Sequence, residues 1–251
     1  MNSVNPTVPR SKAEYVAQRL LDRIVTSNLS PGISIGTEAD LLQQYKVSRP
    51  TLRESLRILE SQGVLELRPG PRGGIMTSRP GMDILAHGLS VYLRMHDVPF
   101  VAVLKAREAI EPALAADAAT NASDADLDAM QDSIDRMNSA TDQDTFIKEN
   151  RVFHSMIARS SGNPVMEIFW SAIGMMSAGE DHGVRYTESN RAGVVKAHRG
   201  ILEAMQARNS ALASERMAEH LGELELLVRK RYQYLLDQAP DIVARHGRSL
   251  G

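Results

Sequence analysis

The sequence predicts a mostly α protein, with an N-terminal winged helix-turn-helix followed by an all-α antiparallel helical bundle. Three observations lead there. Capping signals and apolar residues at helical spacing recur along the whole chain. A strand, glycine-rich turn and strand occur once, over residues 64–77. Ser78-Arg79-Pro80-Gly81 then divides a basic segment from a longer acidic one.

The N-terminal elements follow in order. Residues 1–10 read as a disordered start to a winged helix-turn-helix over 11–78. Ser11 and Glu14 have capping-box spacing. Val16, Leu20 and Ile24 continue as one helical face, which should stop near Asn28 before the turn Ser30-Pro31-Gly32. Thr37 and Asp40 repeat the capping spacing ahead of a short helix with Leu41, Leu42 and Tyr45. A third helix begins after Ser48, its N-cap. Pro50 sits in a first turn that needs no backbone donor, and Gly63 acts as the C-cap. Val64-Leu65-Glu66-Leu67, Arg68 to Gly74, and Ile75-Met76-Thr77 form the hairpin.

Beyond a linker at 79–81, only helical periodicity appears. The predicted helices are 82–95, 99–119, 124–139, 143–161, 164–178, 188–207 and 209–237, making a bundle over 82–237 and a tail at 238–251.

Composition narrows the function classes. The 251 residues are 43% apolar and 24% charged, as in a soluble globular chain, and no apolar run is long enough to span a membrane. The first dozen residues have no apolar core of a secretory signal, so the expected location is the cytoplasm. With no cysteine, disulfides, thiolate metal sites and cysteine nucleophiles are excluded together. The net charge of −2 is unevenly spread. Residues 1–79 hold eleven Lys/Arg against seven Asp/Glu, and the remainder holds eighteen against twenty-four. Only the first part is suited to a polyanion.

The third helix has two faces. Leu52, Leu56 and Leu59 point to a core, while Arg49, Arg53 and Arg57 follow one another at i+4 steps. A guanidinium fork can bond guanine O6 and N7 together, and Arg49 and Arg53 lie near the helix start, where a recognition helix meets base edges. Ser48 and Thr51 can donate to phosphate oxygens there. The same stripe is also what a solvated face looks like, with Glu54 and Glu60 as partial partners. The short preceding helix, tight turn and following hairpin favour double-stranded DNA.

The stretch Thr37-Glu38-Ala39-Asp40-Leu41-Leu42, continuing from Val47-Ser48-Arg49-Pro50-Thr51-Leu52-Arg53 to Gly63-Val64-Leu65, resembles the GntR family of bacterial regulators. The resemblance implies DNA contacts by Arg49, Thr51 and Arg53, and by a wing tip at Arg72, Gly73 and Gly74. Many relatives carry arginine where this chain has Ala39, which implies one contact fewer.

The helical part resembles the FadR-like branch of that family, whose effector domain is called FCD. The matching pieces are Arg107-Glu108-Ala109-Ile110-Glu111, Asn150-Arg151-Val152-Phe153-His154, Ser161-Gly162-Asn163, Ala197-His198-Arg199 and Ala218-Glu219-His220-Leu221. Asn150 and His154 are i, i+4 on one helix, and a bundle could bring His198 and His220 round the same cavity. Three imidazoles and an oxygen donor suit zinc, nickel or a similar divalent cation. Scattered histidines are more often surface or hydrogen-bonded core residues, so the residues alone leave this open and the resemblance tips it toward a metal. Metal-binding relatives usually carry aspartate at the position of Asn150, and a neutral amide implies a weakened site. His87, His96, His182 and His246 match nothing.

Two roles are open to Arg107: a clamp on the carboxylate of an organic-acid effector, or an i, i+4 ion pair with Glu111. The whole reads as a homodimeric, ligand-responsive repressor on a pseudo-palindromic operator. One rival is a metal-dependent hydrolase with Glu149, Glu180 or Glu219 as general base. The other is an architectural DNA-binding protein with no effector.

Overall fold

In the computed structural model, residues 11–68, 74–176 and 185–237 are described. The chain divides into two compact units, Met1–Ile84 and Leu85–Gly251.

In the first unit, α1 (Lys12–Thr26) starts at Ser11, whose side chain accepts from the Glu14 N–H, and buries Val16, Ala17, Leu20 and Ile24. It ends at Asn28, which takes a left-handed φ of 46° while the Leu29 N–H returns to the Ile24 carbonyl. Helix α2 (Glu38–Tyr45) opens with a complete Thr37–Asp40 capping box. Lys46 then turns left-handed, and α3 (Arg49–Ser61) follows from its N-cap Ser48. Leu20, Leu41, Leu52 and Leu59 close the core that these three helices share.

Strands β1 (Leu65–Arg68) and β2 (Gly74–Thr77) pair antiparallel, Leu65 opposite Thr77 and Arg68 opposite Gly74. The turn before α2 does more than reverse the chain. Ser34 bridges to Met76, and the Ile35 N–H bonds the Ile75 carbonyl, so this segment pairs along the far edge of β2. Thr77 locks it, its buried hydroxyl donating to the Ser30 carbonyl at 2.6 Å and accepting from the Ile33 N–H at 2.9 Å. The wing hairpin is thus anchored to the helices on both sides.

Gly63 lies one place beyond the cap position expected of it, which Gln62 fills. Its φ is +70°, and Val64 N–H to Leu59 O with Gly63 N–H to Glu60 O completes a Schellman ending.

Helix α4 (Met82–Met95) starts before the division and continues past it, and every other described element of the second unit is also a helix. These are α5 (Phe100–Asn121), α6 (Asp124–Asn138), α7 (Gln143–Ser160), α8 (Pro164–Met176), α9 (Glu188–Gln206), α10 (Ser210–Arg231) and α11 (Gln233–Leu236). Helix α5 runs through the middle, packing on α7, α8, α9, α10 and α11. Ala115, Ala118 and Ala119 make that possible, since their small side chains let neighbouring backbones close on it. Ser123, Asp142, Thr187 and Asn209 each cap the following helix with a side-chain oxygen. The single helix expected over 209–237 is instead two. Tyr232 leaves helical geometry, and its hydroxyl accepts from the Arg185 N–H and donates to the Arg185 carbonyl. That pair of bonds needs the chain to turn there.

A Cβ at Gly63 would stand 2.5 Å from Ile84 Cδ1 and 3.1 Å from the Pro80 Cα, besides adopting the left-handed φ. Gly63→Ala should destabilise the first unit by about 1–3 kcal/mol. Hydrogen exchange of α3 amides should then quicken by roughly tenfold or more, with α5 and α10 unchanged.

Candidate metal centre and DNA-reading helix

Helix α3 presents Arg49, Arg53 and Arg57 to solvent, opposite the buried Leu52, Leu56 and Leu59. Ser48 Oγ accepts from the Thr51 N–H at 3.3 Å and lies 2.8 Å from the Thr51 hydroxyl, so both side chains are fixed at the helix start. The anion partnering the stripe is Glu38, from the first turn of α2. Its Oε1 is 3.2 Å from Arg53 Nε and 3.7 Å from Arg49 Nη1. Glu54 and Glu60, the partners considered from sequence, are exposed, and Glu60 faces the Leu67 N–H. Glu38 was missed because its partners lie 11 and 15 residues away, out of reach of any same-helix rule. The usable signal was its place directly after the Thr37 cap. Gly74 opens β2 opposite Arg68, whereas Arg72 and Gly73 lie outside the described residues.

In the second unit, four helices converge on one polar centre. Helix α7 carries Asn150 and His154, α9 carries His198, α10 carries His220, and α5 carries Arg107 and Glu111. His220 Nε2 lies 3.2 Å from His198 Nε2 and 3.3 Å from His154 Nε2. Each of the three offers a ring nitrogen within 4.8 Å of the others. A metal–nitrogen bond of about 2 Å places neighbouring ligand nitrogens about 3 Å apart, so the spacing fits one shared cation. All three imidazoles are buried, and Phe153 stacks on His198 with ring centroids 4.1 Å apart. Packing thus holds the His198 ring in place.

Protonation favours the same use. Desolvation holds His198 well below the ordinary histidine range, and desolvation followed by repulsion from His154 and Arg107 takes His220 down to about 3. Both rings are neutral at pH 7, the form that ligates a cation. On the far side of His154, Nδ1 lies 2.6 Å from Glu111 Oε2. Burial pushes the Glu111 carboxyl up, but Arg107 and then His154 hold it well below the usual carboxylate range. That contact holds the ring with its other nitrogen, Nε2, turned toward the cluster.

Arg107 is in the ion pair that its spacing allowed, 2.5 Å from Nε to Glu111 Oε1, but the pair is buried rather than exposed. Arg107, Asn150, His154 and His220 also line a cavity of about 120 Å³, together with Tyr186 and residues of α9 and α10 that include Asn190 and Leu224. So the structure brings all five predicted residues to one place, with His198 behind the cavity wall. Glu111 is the functional residue that sequence reasoning named only as a rival partner. Of the other histidines, His87 and His96 are exposed, and His182 and His246 lie outside the described residues. Glu149 is held by Ser133 and by Arg136 at 3.0 Å, Glu219 is exposed, and Glu180 is outside the described residues.

The comparisons agree with both halves of this geometry. Residues 12–74 match the family described as bacterial regulatory proteins, gntR family, and residues 102–223 match the FCD domain. An uncharacterized HTH-type transcriptional regulator of Bacillus subtilis, YcbG, is 31% identical over 213 residues, covering 84% of this chain and 88% of its own. The chain belongs to the GntR family. The HTH-type transcriptional repressor NanR of Citrobacter rodentium is 24% identical, covering 87% of this chain and 86% of its own. Among solved structures, a Streptococcus agalactiae GntR protein superposes with a TM-score of 0.65 at 24% identity, over 85% of this chain and 99% of its own. That likeness supports the fold. This GntR protein is therefore a DNA-binding transcription regulator with an FCD effector-binding domain, not an enzyme, and its three-histidine cluster is a set of groups able to hold a metal ion.

The depressed His220 makes stability pH-dependent. Its ring takes a proton near 3 in the fold and near 6.5 when unfolded. Between those values the unfolded chain binds more protons, so stability falls as pH falls from about 7 toward about 4. Urea midpoints of chelator-treated protein should drop between about pH 7 and 5, where carboxylates hardly titrate. His220→Gln should flatten that slope.

Proposed function

We propose that this regulator is a homodimeric, cytoplasmic repressor whose helical unit, over 82–237, binds a small carboxylate-bearing metabolite through a divalent metal. The metal, zinc or nickel, is held by His154, His198 and His220 with the Asn150 amide as a weaker fourth ligand. The winged helix-turn-helix over 11–78 reads a pseudo-palindromic operator, presenting one recognition helix per half-site. Arg49 and Arg53 contact base edges, Ser48, Thr51 and Arg57 contact phosphates, and the wing tip at Arg72, Gly73 and Gly74 approaches the minor groove.

The observation that carries the metal reading is the meeting of three buried ring nitrogens, one of them on the ring that Glu111 contacts. A cation bound there acts as a Lewis-acid anchor for an anionic effector. Arg107 Nε is committed to Glu111, and its terminal nitrogens are the groups left to meet the same anion at the cavity wall. Effector binding then favours one arrangement of the DNA-binding units over another.

Protein purified without a chelator or affinity tag should contain zinc or nickel by elemental analysis, below one ion per chain. In calorimetric titration of metal-free protein, Asn150→Asp should tighten the ion and His198→Ala should abolish its binding. Glu111→Gln should weaken it by about 10–100-fold. A wild type and an Asn150→Asp variant that both fail to take up either ion would remove the metal from the reading, leaving the histidines as hydrogen-bonding groups of the pocket. On DNA, Arg49→Ala or Arg53→Ala should cost about 1–3 kcal/mol at the operator and much less on random sequence. Equal losses on both would reassign those arginines to phosphate.

A further inference from the structure

The pairing of Glu38 with two recognition-helix arginines is not accounted for by stability. Arg49 and Arg53 are 70% and 63% exposed and Glu38 is 31% exposed, a setting in which an ion pair adds little to folding. The contact is nonetheless directional. Glu38 Oε1 lies 3.2 Å from Arg53 Nε, and Oε2 lies 3.4 Å from both Nε and Nη2. The carboxylate thus lies along one side edge of the guanidinium plane. The end edge, formed by the two terminal nitrogens, stays open, and that edge can bond guanine O6 and N7 together.

We infer that Glu38 is a specificity-determining residue, which buttresses Arg53 for base reading and withholds part of the arginine charge from phosphates. Without it, Arg53 is a flexible cation that can settle on any nearby phosphate, a contact that carries no sequence information. With it, rotation of the guanidinium is restrained before DNA arrives, so less side-chain freedom is lost on meeting the correct base. The negative charge acts in the same direction. Arg49 and Arg53 with Glu38 present one net positive charge rather than two, which weakens sequence-independent attraction. Glu38 is therefore a residue whose removal should strengthen binding to the wrong DNA.

The inference rests on α3 reading bases, and the test separates the two. The full-length protein would first select its preferred duplex from a random-sequence pool. Affinities for that duplex and for the unselected pool would then be measured at two salt concentrations for wild type, Glu38→Gln, Glu38→Asp and Arg53→Ala. Glu38→Gln should bind the pool a few-fold more tightly and the selected duplex less tightly, so that the ratio falls by about tenfold. Its pool affinity should also fall more steeply with salt, by about one counterion. Glu38→Asp should recover part of the ratio. Single G·C to A·T changes in the selected duplex should cost less in Glu38→Gln than in wild type at one position, the base pair read by Arg53. An unchanged ratio in Glu38→Gln, beside a reduced one in Arg53→Ala, would overturn the role of Glu38 alone. An unchanged ratio in Arg53→Ala would overturn the base-reading assignment itself.

Discussion

Arg107 and Glu111 place opposite full charges, both buried, one turn apart on a helix that also supplies Leu114, Ala115 and Ala118 to the apolar core. Either charge alone there would cost several kcal/mol in lost hydration. Both come from α5, so their i, i+4 approach is set within one helix before packing brings the partners in. The pair does not satisfy Glu111 completely, because one oxygen remains, and His154 Nδ1 takes it at 2.6 Å. That contact orients the His154 ring, and with it the Nε2 atom that lies 3.3 Å from His220. The inner rim of the cavity thus follows from a charge buried on a different helix.

The imidazole cluster is more demanding than the ion pair. A neutral ring has one N–H and one lone pair. Burial keeps His198 and His220 in that form, so each has one nitrogen left to accept. His198 Nδ1 is buried without a hydrogen-bond partner. Phe153 and the surrounding helices hold this arrangement against its own polar cost. A core under selection for stability alone would replace such rings with apolar side chains, so the cluster is evidence of use.

What was legible in the sequence was largely local. Thr37–Asp40 announces a helix start because a capping box closes within four residues, and Arg107–Glu111 is visible because the helix itself brings the two together. The burial of that pair was not visible, since it depends on α7, α9 and α10 closing over α5. Glu38 lay hidden for the same reason, its arginines being on the next helix. The pairing of Ser34 with β2, just past the turn at Ser30-Pro31-Gly32, leaves no signal, because a single bridge gives no two-residue alternation to detect. The break at Tyr232 depends on a hydroxyl reaching Arg185, 47 residues back. The resemblance, not periodicity, supplied the convergence of His154, His198 and His220.

Charge at the centre links the two ligands of the proposed function. Burial keeps His198 and His220 neutral, the Asn150 amide is neutral, and Arg107 cancels Glu111. A divalent cation held there keeps both its charges uncompensated by protein, in a cavity where water screens them poorly. An anion entering from the cavity gains most when the cation is present, and the cation gains equally from the anion, since coupling between two ligands is reciprocal. Aspartate in place of Asn150 would tighten the metal while lowering the positive charge that attracts the effector. In the proposed function the amide would shift affinity away from the ion alone and toward the ion and the anion together, and occupancy of the site would then respond to the metabolite.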